Sequence, residues 1–409
     1  MSPRDELFAA AREQFAGTRA GPFFDMASRA LLYTGGRAAL DKHLDDMANG
    51  TIDKAGLFSA VEECREQFAA LICSHPDEVA FTRNVTDGIA AFGAALDWKP
   101  GDTVVVCEEL EHPANIYPWY GLARKHGLVV KNVRQKRGVV PLEDILHAID
   151  ERCRVVAISA VSFAPGFLFP VPQLGAECRR RGVHLVVDTA QSIGVVETDV
   201  EKWGCDALAA STQKGLMSLY GLGFLYVRRS VAETLNPAYL SRFGVEQEGH
   251  EASLGNPISG PLAAGARRFD VGNYNYPAIV TVTAALKLIL DLTPKAVEQH
   301  TFGLACEFAE RMLALGLPVF GGRPGSQSTH IVTIGSEMGF DHDSAADLSM
   351  KALYEHLVAE GVRLSIRRDL LRFSFGLYNN RDDIARVERL IREWMRGRNA
   401  AQNSLEVTA

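Results

Sequence analysis

The stretch His184-Leu-Val-Val-Asp-Thr-Ala-Gln-Ser-Ile-Gly194 opens as a short apolar run and stops on a carboxylate. A run of about 4–8 apolar residues between polar flanks is the pattern of a strand covered on both faces, as in a parallel sheet. A carboxylate at the end of such a strand sits where water is scarce, and a buried charge without a partner is costly. Asp188 therefore either caps or ion-pairs within its own loop, or has a cation brought to it. The next strand-like run, Ala207–Ala210, leads into Ser211-Thr-Gln-Lys-Gly-Leu216, with Gly221 and Gly223 close behind. A lysine held beside a core strand loses hydration, its pKa falls, and its amine becomes a nucleophile. A lysine that stays at the surface does none of this.

Working outward, Thr103–Val106, Leu128–Asn132, Arg154–Ala160 and Phe224–Val227 read as further short strands. Helical patterns separate them: Ile89–Leu96, Pro118–His126, Pro141–Ile149 and Pro172–Arg181, the last three with proline at the start, where a missing N–H does no harm. Strands alternating with helices from about 80 to 230 predict a mostly parallel sheet covered on both faces, that is, an α/β large domain. The N-terminal part predicts helices over 3–17 and 36–71, the second broken at Gly50-Thr51 with Thr51 as a cap. After a Gly-, Asn- and Ser-rich stretch over 235–275, helices dominate: Pro277–Leu292, Lys295–Ala314, Ser344–Glu360 capped by Ser344, and Arg381–Gly397. Strands at Ile331–Ile334, Val362–Ile366 and Leu371–Phe375 complete a smaller α+β domain. The expected division is a helical arm over 1–21, a large domain over 22–275, a small domain over 276–397 and a tail over 398–409.

Two more features fall in loops at predicted strand ends, where parallel sheets place their ligands. Thr86-Asp87-Gly88 opens a helix, and unpaired N–H groups there form an anion cradle. Glu111-His112-Pro113-Ala114-Asn115 follows the strand Thr103–Val106, and an aromatic ring at a strand end can cover a flat ligand.

Composition sets limits on the rest. Hydrophobic residues make up 47% and charged residues 23% of 409, with formal charge −7, so nothing electrostatic favours nucleic acid or an anionic membrane as partner. The apolar runs are strand-sized, and no signal-peptide pattern opens the chain, so a cytoplasmic protein without a membrane span is expected. The seven cysteines form no CxxC pair, which signals neither a zinc site nor a disulfide framework.

Taken in order, the helix-start cradle, His112, Asp188, Gln191 and Lys214 resemble the class V branch of fold-type-I pyridoxal-phosphate enzymes. The likeness is carried by Val186-Val-Asp-Thr-Ala-Gln-Ser-Ile-Gly194, Ser211-Thr-Gln-Lys-Gly-Leu216 and Gly223-Phe-Leu-Tyr-Val-Arg228, and runs from about 22 to 395. It implies a seven-stranded, mostly parallel sheet and pyridoxal 5'-phosphate held as a Schiff base on Lys214, which also moves the α-proton. Asp188 would pair with the pyridine nitrogen, Gln191 with the phenolic oxygen, and His112 would stack on the ring. Thr86, Asp87, Ser211 and Gln213 would hold the phosphate. Arg372 in Leu371-Arg-Phe-Ser-Phe-Gly-Leu-Tyr-Asn379 would bind the substrate α-carboxylate, with Asn115 and Tyr220 near the substrate. A homodimer with sites at the interface is implied, with Arg267-Arg-Phe-Asp-Val-Gly-Asn273 resembling the segment that reaches the neighbouring subunit's phosphate.

Two departures shape the functional expectation. Gln213 stands where many members have histidine and cannot titrate near neutral pH. The segment Val362-Arg-Leu-Ser-Ile-Arg-Arg-Asp-Leu370 holds no cysteine, whereas cysteine desulfurases carry one there to attack the substrate sulfur. The expected reaction is β-elimination on an α-amino acid, of C–S lyase type, through an aminoacrylate, and not a persulfide-relay desulfuration. The alternatives are an amino-acid epimerase, an aminotransferase or a decarboxylation-linked deaminase. Arg367 and Arg368 either meet a second acidic group on the substrate or form a solvated turn.

Overall fold

The computed structural model describes residues 3–246, 261–339, 343 and 347–407. The chain forms two compact units, one of Leu32–Ser162 with Phe169–Pro294, the other of Met1–Leu31, Phe163–Leu168 and Lys295–Ala409. This division differs from the boundaries expected above. The helix Tyr276–Leu292, read as the start of the small domain, belongs to the large unit. Gly36 explains how closely it docks there: a Cβ at that position would stand 2.9 Å from Thr281 O.

The large unit is built on seven strands: β1 Val79–Thr82, β2 Thr103–Val106, β3 Val129–Asn132, β4 Cys153–Ser159, β5 His184–Asp188, β6 Ala207–Ser211 and β7 Gly223–Val227. Their order is β1-β7-β6-β5-β4-β2-β3. Pairing is parallel from β3 through β6, and only β7 runs against its neighbours β6 and β1. The α/β expectation, with a mostly parallel seven-stranded sheet, holds. The residues alone gave six of these strands, since Val79-Ala-Phe-Thr82 is short and lies against a polar loop. From β4 to β7 nearly every residue is buried on both faces, which is why these segments read as unbroken apolar runs. Val104, Val155, Val186, Ala209 and Leu225 fill one side with Ile89, Phe92 and Trp119 from the flanking helices.

The sheet is anchored on its outer flank by Asp270. Its carboxylate takes Arg65 Nη2 at 2.8 Å, the Phe81 N–H at 2.8 Å and the Tyr274 hydroxyl at 3.0 Å, with both Arg65 and Asp270 almost fully buried.

The smaller unit holds an antiparallel three-stranded sheet, order β8-β10-β9, from β8 Ile331–Ile334, β9 Ser365–Arg367 and β10 Leu370–Ser374. Phe24, Phe308, Phe373 and Phe375 form its aromatic core. The N-terminal helix Pro3–Arg12 joins this unit through an Arg12–Asp383 ion pair at 2.8 Å and a stack of Phe8 on His300 at 3.9 Å. The helix expected from Ser344 runs Leu348–Ala359 and is capped by Asp347, while Ser344 itself lies outside the described residues. Among the described residues no single helix is long and apolar enough to cross a membrane.

Candidate active site

The loops after β2, β4, β5 and β6 leave the same end of the parallel sheet, and each carries polar residues into a largely apolar surrounding. Asp188 closes β5 at 3% exposure. Its Oδ1 accepts the Ala190 N–H at 2.7 Å, and burial holds its pKa above the usual carboxylate range. The Ala190 N–H and the Lys214 ammonium pull in the opposite direction, which places Lys214 within electrostatic reach. Lys214 itself is half-buried, in a turn closed by the Met217 N–H on Lys214 O at 2.8 Å and by the Ser218 N–H on Thr212 O at 2.9 Å.

Two glycines hold the Asp188 and Lys214 loops together. A Cβ on Gly215 would lie 2.0 Å from Ile193 O, and one on Gly194, at φ +78, would lie 2.6 Å from Gly215 O. The two backbones touch where only glycine fits, so the spacing of Asp188, Gln191 and Lys214 is fixed by main chain.

The opposite end of the same strands shows what a protein-satisfied acid looks like. Asp206, just before β6, takes Arg228 Nη2, His184 Nδ1 at 3.1 Å and the Leu185 N–H at 3.2 Å. Among the described residues, Asp188 has no lysine or arginine within ion-pair distance. A buried acid so placed suits a cationic ring N–H. Ser211 adds to this: its hydroxyl, at the end of β6, is buried without a hydrogen-bond partner among the described residues. Beside the start of the helix Val85–Ala94, it suits an anionic oxygen such as a phosphate. Gly88 lets that helix start approach β6, with a Cβ there only 3.2 Å from Ala209 Cβ.

His112 caps a short turn, Pro113–Asn115, with Nδ1 accepting the Ala114 N–H at 3.2 Å. This orients the ring and leaves Nε2 to carry the proton of the neutral form. Gln191 is buried, Gln213 half-buried and Thr86 exposed.

Four expected contacts need correction or relocation. Asp87 is the N3 residue of its helix, and its carboxylate is bound by Arg83 at 2.8 Å and 3.2 Å, while its N–H is taken by Asn84 Oδ1 at 2.9 Å. Neither its side chain nor its N–H remains for a phosphate. Asn115 is fully buried, its Nδ2 donating to Glu111 at 2.8 Å and its Oδ1 accepting Trp119 Nε1 at 3.5 Å, so it braces the turn rather than facing a substrate. Tyr220 projects at 62% exposure. Asn273 is exposed in a left-handed turn, φ +35, and Arg267 is committed to Glu62 and Asp77.

Residues the sequence reading passed over are Asn84, Ser159 and above all Glu111. Glu111 is 4% exposed and accepts the Ser159 N–H at 2.6 Å. Like Asp188, it is an acid that follows a buried strand, and that signal was open to a reading of the sequence.

In the smaller unit Arg372 lies on β10 at 1% exposure. Its donors reach Ser365 Oγ at 3.1 Å, Phe163 O at 2.8 Å and Ser28 Oγ at 2.8 Å, all neutral, and the Asp25 carboxylate is 3.9 Å away. Burial lowers its pKa to about 9, with Arg367 adding to the effect. A buried guanidinium with neutral acceptors and one loose carboxylate suits an incoming anion. Arg367, the last residue of β9, pairs with Asp343 and donates to Ser28 Oγ at 3.2 Å, and Arg368 sits at φ +54 in the β9–β10 turn, bonded to Gly339 O at 2.9 Å.

A parallel α/β sheet with a lysine and a buried acid on adjoining strand-end loops defines a class of cofactor enzyme. The chain matches the aminotransferase class-V family over residues 46–387. It therefore belongs to that family and is a pyridoxal 5'-phosphate-dependent enzyme of fold type I. It is 29% identical to an uncharacterised aminotransferase of Schizosaccharomyces pombe, over 81% of each chain. It is 31% identical to a probable cysteine desulfurase of Pseudomonas aeruginosa, over 80% of each. The structure of a cysteine desulfurase from Thermococcus onnurineus superposes with a TM-score of 0.79 at 23% identity, over 95% of this chain and 98% of that one.

These likenesses overturn the functional expectation. Cysteine desulfurases had been set aside because no cysteine stands between Val362 and Leu370, yet curated desulfurases recur among the relatives. One missing thiol on a loop does not separate the chain from them, and the preference for β-elimination, which leaned on that exclusion, falls with it.

Proposed function

We propose that the chain transforms an α-amino acid in the manner of an aminotransferase, with pyridoxal 5'-phosphate attached at Lys214. The observation that carries this is the buried Asp188 carboxylate, in no ion pair with arginine or lysine among the described residues and within reach of the Lys214 charge. Bound there, the cofactor supplies an electron-withdrawing pyridine that accepts charge from the substrate Cα. Asp188 holds the proton on the ring nitrogen. Lys214 Nζ anchors the cofactor and afterwards takes the proton from Cα, for which an amine positioned beside that carbon is suited. Ser211 Oγ and the free N–H groups of the first turn after Asn84 hold the phosphate, His112 covers the ring and excludes water from that face, and Gln191 donates to the phenolic oxygen. Arg372 binds the α-carboxylate through its planar fork. The chain acts as a homodimer.

The names of the relatives support this reading in part, since both aminotransferases and desulfurases are among them. Desulfuration of cysteine is the second reading, favoured by the Pseudomonas relative. Five of the seven thiols are buried, leaving Cys73 exposed and Cys306 half-buried as the accessible ones. The deciding experiment is mass-spectrometric product analysis over a panel of amino acids, with and without an α-keto acid acceptor. A keto acid formed together with the aminated acceptor supports transamination. Alanine from cysteine, with sulfide released once a thiol reductant is added, supports the second reading, and racemised substrate alone refutes both.

A further inference from the structure

Glu111 has no part in the function proposed above, yet it is one of the most completely bonded acids in the large unit. It turns back from the loop after β2 onto the end of β4. Oε1 accepts the Ser159 N–H at 2.6 Å, and Oε2 accepts the Ser159 hydroxyl and Asn115 Nδ2, the latter at 2.8 Å. Ser159 and Asp188 are direct partners in the parallel pairing of β4 with β5, so their side chains rise from the same face of the sheet. The Glu111 carboxyl, tied to the Ser159 side chain, therefore sits on the face that carries Asp188, and it feels the Asp188 charge.

Two acids buried on one face cannot both ionise without a large electrostatic cost. The groups facing Glu111 are Ser159 from β4, Asp188 from β5, and Asn115 and Cys107 from the segment after β2. Cys107 stays a neutral thiol, pushed up to about 12 by burial and by Glu111. Neither acid has a lysine or arginine within ion-pair distance among the described residues. The Lys214 ammonium acts on Asp188. Asp188 is bonded by an N–H, which only donates, and its anion is further favoured by the Lys214 charge. Glu111 takes two N–H donors, from Ser159 and Asn115, and one hydroxyl, Ser159 Oγ, which can reverse and accept a proton from the acid form.

We propose that Glu111 and Asp188 share one proton behind the cofactor ring, Glu111 carrying it while Asp188 stays ionised as the partner of the ring nitrogen. Glu111 is then a positioning residue acting through Asp188. While it is neutral, a single negative charge faces the ring. Once it ionises, a second strengthens the hold on the ring proton. Burial, with the Asp188 charge adding to it, raises Glu111 to about 7, which sets the change near neutral pH. This rests on the assignment of Asp188 and Lys214 made above.

The test is infrared difference spectroscopy of the holoprotein after borohydride reduction, titrated upward through neutral pH. The expected result is a carbonyl stretch of a buried protonated carboxyl that disappears as the pH passes neutrality. Glu111→Gln should lack the band, and Asp188→Asn should keep it with its midpoint lowered by about 1 pH unit or more, because a like charge has gone. A wild-type protein without the band, or a band that survives in Glu111→Gln, overturns the proposal. If Glu111→Gln does not fold, the wild-type and Asp188→Asn spectra decide: an unmoved or raised midpoint in Asp188→Asn overturns it. Reduction that fixes no cofactor on Lys214 sinks the lysine assignment separately, and the band on that same sample still decides the pair.

Discussion

Replacing Asp188 by asparagine should change stability in opposite directions with and without cofactor. Asparagine keeps the shape, and its Oδ1 can still accept the Ala190 N–H that now lies at 2.7 Å. Only the charge goes. Without cofactor, the folded protein binds the Asp188 proton more tightly than the unfolded chain, because burial raises its pKa. Stability is then highest below the ordinary carboxylate value and declines as pH rises toward the raised one. The substituted amide does not titrate, so at pH about 8, above the ordinary carboxylate range, the cofactor-free variant should melt at or above the wild type.

With cofactor the sign reverses. Deleting one partner of a buried ion pair leaves the other charge uncompensated and costs about 3–5 kcal/mol. At about 1.4 kcal/mol per tenfold, that is a loss of roughly two to three and a half orders of magnitude in cofactor affinity. At fixed ligand, a hundredfold weaker affinity removes about 2.7 kcal/mol of ligand-conferred stability. Calorimetric melts of both proteins, with and without added pyridoxal phosphate, give all four numbers. A variant that melts below wild type without cofactor, yet gains as much from cofactor as wild type does, would show that Asp188 is only a loop cap.

Lys214→Ala should abolish the mass increment left by borohydride reduction and lower turnover by about 10²–10⁴-fold, the usual contribution of a positioned acid–base group; intact-protein mass spectrometry reads the first and steady-state kinetics the second. Arg372→Ala should weaken amino-acid binding by about 2–5 kcal/mol while leaving cofactor affinity unchanged, and Arg372→Lys should not restore it, because an ammonium lacks the fork. Equal loss of cofactor and substrate in titrations would instead mark Arg372 as structural. Arg65→Met should cost about 3–5 kcal/mol in urea unfolding by stranding the Asp270 carboxylate, and Arg65→Met with Asp270→Asn should recover much of it; a single variant within about 1 kcal/mol of wild type would refute the burial argument.

What the sequence disclosed follows from how each signal arises. The strands β4 to β7 are buried on both faces, so burial is written directly into their composition. Asp188 stands out as a charge at the end of such a run, whereas Lys214, three residues past the end of β6, is singled out only by its order after Asp188 and Gln191. β1 was missed because four residues beside a polar loop carry little pattern. The helix cap after the Gly50 break was misplaced for a different reason: Thr51 and Asp53 are both capping types, and only the structure shows Asp53 accepting the Ala55 N–H while Thr51 turns back to Asp46. Asp87 failed in the same way, since an acid at a helix start can meet an anion's neighbours or a nearby Arg83, and sequence does not say which. Asn115 and Glu111 illustrate the harder limit. Glu111 joins the turn to β4, far along the chain, and no local pattern announces a contact with Ser159.

The two ends of the central strands bear on the cofactor independently of any relative. At the β5–β6 entry, Asp206 is ion-paired with the protein's own Arg228 and lies 3.1 Å from His184 Nδ1. At the exit, Asp188 and Glu111 lie on one buried face with hydroxyl, amide and N–H groups around them and no arginine or lysine in ion-pair range among the described residues. Folding alone would select against such an arrangement, because both acids are pushed up by burial and each raises the cost of ionising the other. A cation held close to them would make it favourable, and the protonated pyridine proposed above would be one. The same electrostatics explain why the fold does not fix the reaction. Every member of this enzyme class needs the ring proton held and Cα deprotonated, so the roles proposed for Asp188 and Lys214 would serve them all. The choice among outcomes lies with whichever groups meet the substrate's side chain.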